Sequence, residues 1–183
     1  MALTQVIGSG IGTVTNQFAD GNMSAGSQIQ VVQTVVTAGS FSTTSTTYTD
    51  LTGMTVAITP SATSSKILVI AQVNGGNEAA AAYLNLLRGS TEIYKGSQGS
   101  AIGASALATR QTGGESTGNN SIIFLDSPNT TSATTYKLQV RCRNTGTFRL
   151  NLNNDGASGS GTTNAVGASS ITVIEIKGWL IWM

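Results

Sequence analysis

The chain has 183 residues, enough for one ordinary domain with a buried core, and 39% of them are hydrophobic. Only 9% are charged, against about 25% in typical soluble domains, so neutral polar residues must supply most of the solvation. The net charge is +1, and no lysine or arginine occurs before residue 66. Converging basic side chains, which nucleic-acid binding requires, are therefore missing, and we expect no nucleic-acid partner.

Residues that commonly carry catalysis are scarce. There is no histidine, which excludes the Ser-His-Asp and Cys-His systems and removes the commonest metal ligand. The eight carboxylates fall mostly in turn-like segments, where acidic residues are routinely solvated. The single cysteine, Cys142, is interpreted as a small buried hydrophobe rather than a reactive thiol. We expect no enzyme, no cofactor and no metal; a polysaccharide depolymerase using paired carboxylates is the disfavoured enzymatic alternative.

Residues 1–27 are interpreted as an extended arm. This segment is rich in glycine, and its apolar residues Leu3, Val6, Ile7 and Phe18 are isolated anchors rather than part of a periodic pattern. It lacks the basic start and continuous apolar stretch of a secretory signal. No apolar run in the chain approaches the ~20 residues that span a bilayer. The sequence thus predicts synthesis in a cytoplasm and no membrane insertion.

From residue 28 onward the chain reads as a series of short strands, because Thr, Val and Ile dominate and helical spacing is absent. Strands are predicted at 28–37, 41–51, 55–59, 66–73, 83–87, 91–94, 121–125, 134–143, 147–153 and 169–177. Segment 66–73 has apolar residues on both faces, as expected for a strand buried between two layers, whereas 134–143 alternates. Such strands separated by turn residues indicate a β-sandwich or jelly roll in residues 28–183.

Two further features allow more than one interpretation. Arg141, Arg143 and Arg149 form either a basic patch for an anionic glycan or, as we favour, solvated charges on a strand face. The apolar end of the chain contains Trp179, Ile181 and Trp182, which are candidate oligomer-interface residues. This end is expected to pack either on the domain's own sheet or against neighbouring subunits, since exposed it would favour aggregation.

Five blocks follow one another in order along the chain: AGSQIQVVQTVVT at 25–37, TSTTYTDLTGMTVAITPSATSSKILV at 44–69, YLNLLRGSTEIYKG at 83–96, IIFLDSPNTTSATTYKLQVR at 122–141 and SSITVIEIKG at 169–178. Together they resemble the small tail-fibre and head-appendage proteins of marine and cyanobacterial bacteriophages. The resemblance implies an all-β, antiparallel jelly-roll β-sandwich with a short extended N-terminal arm. Its knobs are similar to the jelly rolls of tumour necrosis factor and the complement globular heads, which assemble as homotrimers.

The resemblance also implies a function. The trimeric knob would be a short fibre or surface appendage of the virion, with residues 1–27 and their anchors Leu3, Val6, Ile7 and Phe18 held by capsid, tail or baseplate proteins. It would contact a host-surface glycan or protein through its Gly/Ser/Asn-rich loops. The arm has no collagen-like repeat and no heptads, so no long shaft is expected. The alternative is a capsid decoration or cement protein that stabilises the shell without touching a receptor.

Overall fold

The computed structural model describes residues 23–39, 41–77, 81–97, 99–108, 117–144, 146–153 and 166–178. Within these ranges the chain forms eleven β-strands and no helix. The strands are β1 (Gln28–Val36), β2 (Ser42–Thr43), β3 (Thr49–Ile58), β4 (Lys66–Asn77), β5 (Ala82–Arg88), β6 (Thr91–Ile93), β7 (Ala106–Ala108), β8 (Gly118–Asp126), β9 (Thr134–Cys142), β10 (Phe148–Leu150) and β11 (Ser169–Ile176). Among the described residues, no helix long and apolar enough to cross a membrane is found.

The strands form two antiparallel sheets packed face to face. The larger sheet has six strands in the order β1-β11-β4-β10-β2, with β8 on the opposite side of β4. The smaller sheet has five strands in the order β3-β9-β5-β6, with β7 also paired to β5. Every strand pair is antiparallel. The predicted class, an all-β antiparallel sandwich of the jelly-roll type, is confirmed for the described residues.

The core lies between the inner faces of the two sheets. It is formed by alternate residues of the central strands, because successive side chains of a strand point to opposite faces. The fully buried members include Ile67, Val69, Ala71 and Val73 of β4, Leu84 and Leu86 of β5, Tyr136, Leu138, Val140 and Cys142 of β9, and Ile171 and Val173 of β11. The alternation predicted for 134–143 is therefore confirmed.

The structure corrects three details of the predicted strands. Segment 41–51 contributes only β2 and the start of β3. The predicted break between residues 51 and 55 is missing: β3 runs on through Gly53, which has φ +84 and lies at an irregularity in the pairing between Asp50 and Thr55. Burial of β4 on both faces is wrong for the single chain: its inward residues are buried, but its outward residues remain partly exposed. These partly exposed outward residues of β4 belong to the outer face of the larger sheet.

Candidate assembly and binding surfaces

An apolar stripe crosses the outer face of the larger sheet. Strand pairing places its side chains in two adjacent rows across β1, β11, β4 and β8. The first row is Val31, Ile174, Leu68 and Leu125, and the second is Gln33, Thr172, Ile70 and Ile123. The six apolar residues of these rows, Val31, Leu68, Ile70, Ile123, Leu125 and Ile174, are called the apolar stripe below. At ~4.8 Å between strands the stripe is roughly 20 Å wide.

The stripe is open to solvent in the single chain. Val31 is 48% exposed, Ile123 60% and Leu125 54%, and the other three residues are partly exposed. Among the outward residues of β1, β11, β4 and β8, only Lys66 is charged, and its Nζ donates to Ser127 Oγ at 2.8 Å. Contiguous apolar surfaces of this kind are common at the interaction sites of proteins.

Neutral amides occupy the other end of this outer face. Asn119 Nδ2 donates to Asn74 Oδ1 at 2.9 Å, and Ser121 Oγ donates to Gln72 Oε1 at 2.8 Å. Gln72 Nε2 in turn donates to Asn119 Oδ1. Because these polar groups satisfy one another, this part of the face can be covered at a smaller desolvation cost than unpaired groups would impose.

The outer face of the smaller sheet carries paired charges instead. Lys137 Nζ lies 2.7 Å from Asp50 Oδ2, and Gln139 Nε2 donates to Asp50 Oδ1 at 2.8 Å. The hydrogen bond from Lys137 is the largest cause that lowers the pKa of Asp50. Lys95 Nζ lies 2.6 Å from Glu92 Oε2, and this hydrogen bond likewise lowers the pKa of Glu92. These exposed pairs keep the face hydrated.

A cationic and aromatic group, called the Tyr48 cluster below, lies on the same side. The Arg141 guanidinium lies 5.8 Å and the Lys95 ammonium 5.9 Å from the centre of the Tyr48 ring. The Tyr48 hydroxyl donates to the carbonyl of Gly103 at 2.7 Å, and burial raises its pKa. Next to it, a cleft of about 350 Å³ is lined by Tyr94, Lys95, Gly96, Ala104 and Ser105. Lys95 belongs to both, so cluster and cleft form one region.

One buried carboxylate links the two sheets. Asp126, at the end of β8, accepts hydrogen bonds from Arg88 at 2.8 and 2.9 Å and from the Tyr136 hydroxyl at 2.7 Å. Arg88 and Tyr136 belong to the smaller sheet, whereas Asp126 belongs to the larger. Burial, followed by the hydrogen bond to Asp126, strongly raises the pKa of the Tyr136 phenol, which therefore stays protonated. The group acts as a structural tie.

A second buried carboxylate fixes the end of the larger sheet near the apolar stripe. Glu175 on β11 is fully buried. It accepts hydrogen bonds from Gln30 Nε2, Ser65 Oγ, and both the amide and hydroxyl of Ser61, at 2.6 to 2.7 Å. Burial alone raises the pKa of Glu175, but the hydrogen bonds outweigh it and hold the pKa below its ordinary value. Sequence reasoning placed the acidic residues mostly in solvated turns and missed both buried carboxylates.

No site for catalysis stands out among the described residues. They contain no group of three or more His, Cys, Asp or Glu side chains that could hold a metal. Cys142 is a free, buried thiol whose pKa is raised by burial, so its thiolate is disfavoured. This agrees with its interpretation as a small hydrophobe.

The residues singled out from the sequence are distributed as follows. Leu3, Val6, Ile7, Phe18, Trp179, Ile181 and Trp182 lie outside the described residues. The structure does not bring the three arginines together on one sheet: Arg141 lies on β9 of the smaller sheet, Arg149 on β10 of the larger, and Arg143 follows β9.

The sequence analysis did not identify the apolar stripe, although a signal for it was present. The segments 66–73 and 121–125 contain runs of consecutive apolar residues, and 169–177 has apolar residues at both parities; they form the adjacent strands β4, β8 and β11. Three neighbouring strands of this composition place apolar side chains on both faces of one sheet. The single chain supplies cover on only one side.

No protein-family model matches this chain, and no curated protein sequence matches it.

Proposed function

We propose that this chain is a non-enzymatic structural protein of a bacteriophage particle. It forms a homotrimeric short fibre or appendage knob, held to other virion proteins by residues 1–27 and in contact with the host surface. The observation that carries self-assembly is the apolar stripe, which leaves one face of the sandwich uncovered in the single chain. The phage context comes from the resemblance of residues 25–178 to such appendages.

The occupant of the stripe is another copy of this chain. The surrounding face is almost free of charge, so two copies meet there without like-charge repulsion, and its amides are already hydrogen-bonded. The whole outer face is about 20 Å across and about 25 Å along the strands. It therefore supplies a large share of the roughly 800 Å² per partner that a stable interface buries.

A trimer arranges three such faces around one axis, each flank of the face meeting a neighbouring copy. Cyclic symmetry buries all three faces and leaves the charged face of the smaller sheet pointing outward. In this arrangement the virion-bound arm and the host-contacting loops belong to every subunit, which gives the knob three equivalent contacts with the host.

The test is sedimentation velocity of the full chain and of a variant carrying Leu68→Gln and Leu125→Gln. We expect the natural chain to sediment as a trimer. The variant should associate about 100-fold more weakly or worse, because two apolar side chains lose their burial between subunits. The matched control is Ala57→Gln, which places the same side chain on the outer face of the smaller sheet. Circular dichroism checks that each variant keeps its fold.

The results separate three cases. A natural chain that stays monomeric at micromolar concentration contradicts the assembly proposal. A stable dimer keeps the stripe as an interface but overturns the trimer. Equal weakening by Ala57→Gln shows that the stripe is not the contact surface.

Capsid decoration is the second candidate function, favoured by the short arm without collagen-like repeat or heptads. A cement protein also needs a self-associating face, so oligomeric state does not separate the two functions. Particle stability does. If the chain is a cement, particles stripped of it lose DNA at a lower temperature and regain resistance when it is added back; an appendage knob leaves that temperature unchanged.

A further inference from the structure

We infer that the cleft at the base of the β6–β7 connection and the adjoining Tyr48 cluster bind an acidic saccharide, one whose sugar rings carry carboxylate or sulfate groups. The inference rests on the host contact in the proposed function and gives it a location and a ligand chemistry. Four observations support it: a held aromatic platform, a cation with no carboxylate partner, an unused buried acceptor and a cleft of suitable size.

The platform is Tyr94, which lines the cleft and is 49% exposed. Its ring stacks on Phe124 of β8, with ring centres 5.0 Å apart and 24° between the planes. Its backbone has φ 51, a conformation that costs energy for a residue other than glycine. Strain of this kind is found where the surrounding structure holds a functional side chain in place. An exposed aromatic ring fixed from behind suits stacking against the apolar face of a sugar ring.

The cleft itself, at about 350 Å³, falls at the lower end of the size range of small-ligand sites. One or two sugar rings fill such a volume. Lys95 on its wall reaches the Tyr48 ring, and therefore connects the cleft to the rest of the cluster.

The anion-binding group is Arg141. Lys95 is paired with Glu92 and Lys137 with Asp50, but no carboxylate of the described residues lies within ion-pair distance of Arg141. Its Nε makes a long hydrogen bond of 3.4 Å to the Cys142 carbonyl, and the guanidinium lies over Tyr48. A guanidinium held this way keeps donors free for two-pronged binding of a carboxylate or sulfate.

A buried acceptor lies beside these groups. Asn85, on the outward side of β5, is fully buried, and its Nδ2 donates to Glu92 Oε1 at 2.6 Å. That bond fixes which way the amide points, and its Oδ1 accepts no hydrogen bond from any described residue. Buried polar atoms are normally paired. A water molecule that bridges the buried Asn85 Oδ1 to the bound saccharide supplies the missing donor.

The pattern of charge favours a saccharide over a nucleic acid. Phosphate chains are held by several converging cations, whereas this region has two, and one of them, Lys95, is already neutralised by Glu92. One free guanidinium, a stacked tyrosine and amide groups match a ligand with isolated negative charges and many hydroxyls.

The experiment measures binding of the full chain to four immobilised probes by biolayer interferometry. The probes are a uronate oligosaccharide, a sulfated oligosaccharide, neutral dextran and single-stranded DNA. We expect binding to at least one acidic saccharide and none to dextran. Arg141→Gln and Tyr94→Asn should each weaken it about tenfold or more. Asparagine tolerates the backbone of position 94 while removing the ring. The control Arg143→Gln removes the same charge two residues away and should leave affinity unchanged.

Each other outcome has a definite meaning. If an intact oligomer binds neither acidic probe, this inference fails while the proposed assembly stands. If a monomeric chain binds, the assembly fails and the saccharide site stands. If DNA binds as tightly, or Arg143→Gln weakens binding as much as Arg141→Gln, the interaction is non-specific attraction to polyanions and the inference is overturned. Preference between uronate and sulfate probes identifies the anionic group.

Discussion

The two sheets of this sandwich have similar inner faces but opposite chemistry on their outer faces. The outer face of the larger sheet is apolar at one end and neutral amide at the other. The outer face of the smaller sheet has two carboxylate–lysine pairs and the Tyr48 cluster. In a chain with only 9% charged residues, this unequal distribution is informative. A core-forming alternation explains the inner faces of both sheets, and the proposed subunit contact accounts for the difference between the outer faces.

The difference between the two outer faces indicates which of them is suited to contact with water. Exposed ion pairs contribute little to stability, so the pairs of the smaller sheet matter chiefly because they keep that face hydrated and unsuited to permanent burial. The larger sheet lacks them where the apolar stripe lies, and each stripe residue that a second copy covers stabilises the assembly by the loss of apolar surface from water. In the proposed assembly, the larger sheet therefore faces other copies of the chain and the smaller sheet faces solvent.

The largest predicted loss of stability comes from removing the carboxylate of Asp126, which links the two sheets. Asp126→Ala leaves the Arg88 guanidinium without its carboxylate and the buried Tyr136 hydroxyl without its acceptor. Removing one partner of a buried, hydrogen-bonded charge costs about 3 kcal/mol or more. We expect that loss in the free energy of unfolding measured with urea.

The matched control is Asp50→Ala, which removes an equally short ion pair from the exposed face of the smaller sheet. Its cost should stay below about 1 kcal/mol because exposed pairs are screened by solvent. Equal costs for the two variants would show that the link between the sheets contributes no more than a surface pair.

A smaller loss in the free energy of unfolding should follow from changing Glu175, which fixes the end of the larger sheet near the apolar stripe. In Glu175→Gln the new amide NH₂ must face Gln30, Ser61 or Ser65, each of which donates to the native carboxylate. At least one buried donor then loses its acceptor, at a cost of about 2 kcal/mol at pH 7. Urea unfolding measures it, with Glu92→Gln as the exposed control.

The pH dependence of this difference has a definite sign. The folded-state pKa of Glu175 is held below its ordinary value of 4.5. The carboxylate therefore contributes its full stability above about pH 4.5, and this contribution is lost as the pH falls through the lower, folded-state pKa. The stability difference between natural chain and Glu175→Gln should narrow below pH 4.5. A difference that widens there would contradict the lowered pKa.

Much of the fold could be predicted from the sequence. Alternation in 134–143 gave the inner face of β9 correctly, and the predicted strands at 83–87 and 91–94 correspond to the paired strands β5 and β6. The break predicted between 51 and 55 failed for a local reason, because β3 continues through Gly53 at an irregularity in pairing. The periodicity of a sequence shows which residues of a strand are apolar. It does not show where neighbouring strands change register to accommodate an extra residue.

The surfaces were less predictable, because they depend on which strands become neighbours. Leu68, Leu125 and Ile174 are far apart in sequence and form one row only after β8, β4 and β11 pair in a particular register. The apolar residues on both faces of β4 predicted a strand buried between two layers, but only its inward residues are buried in the single chain. For the same reason, the burial of Glu175 follows from the position of Ser61 and Ser65 more than one hundred residues earlier in the chain.

The smallest predicted effect is on self-association, and it comes from making the outer face of the larger sheet more apolar. Thr172 lies in the second row of the larger sheet beside Ile70, and its hydroxyl accepts a hydrogen bond of 2.8 Å from Gln33 Nε2. Thr172→Val keeps the shape, replaces the hydroxyl by a methyl group and joins the apolar residues of the row. We expect self-association to tighten about fivefold, because the interface no longer has to bury that hydroxyl and Gln33, on the edge strand β1, turns its freed amide to solvent. The free energy of unfolding should change by less than about 0.5 kcal/mol, since the lost hydrogen bond is exposed.

The control is Thr55→Val, which makes the same replacement on the outer face of the smaller sheet. In the proposed arrangement that face contacts no other copy of the chain. Sedimentation equilibrium of the two variants side by side decides the matter: tightening by Thr172→Val alone places the subunit contact on the larger sheet, whereas equal tightening by both would mean that added apolar surface promotes association wherever it lies.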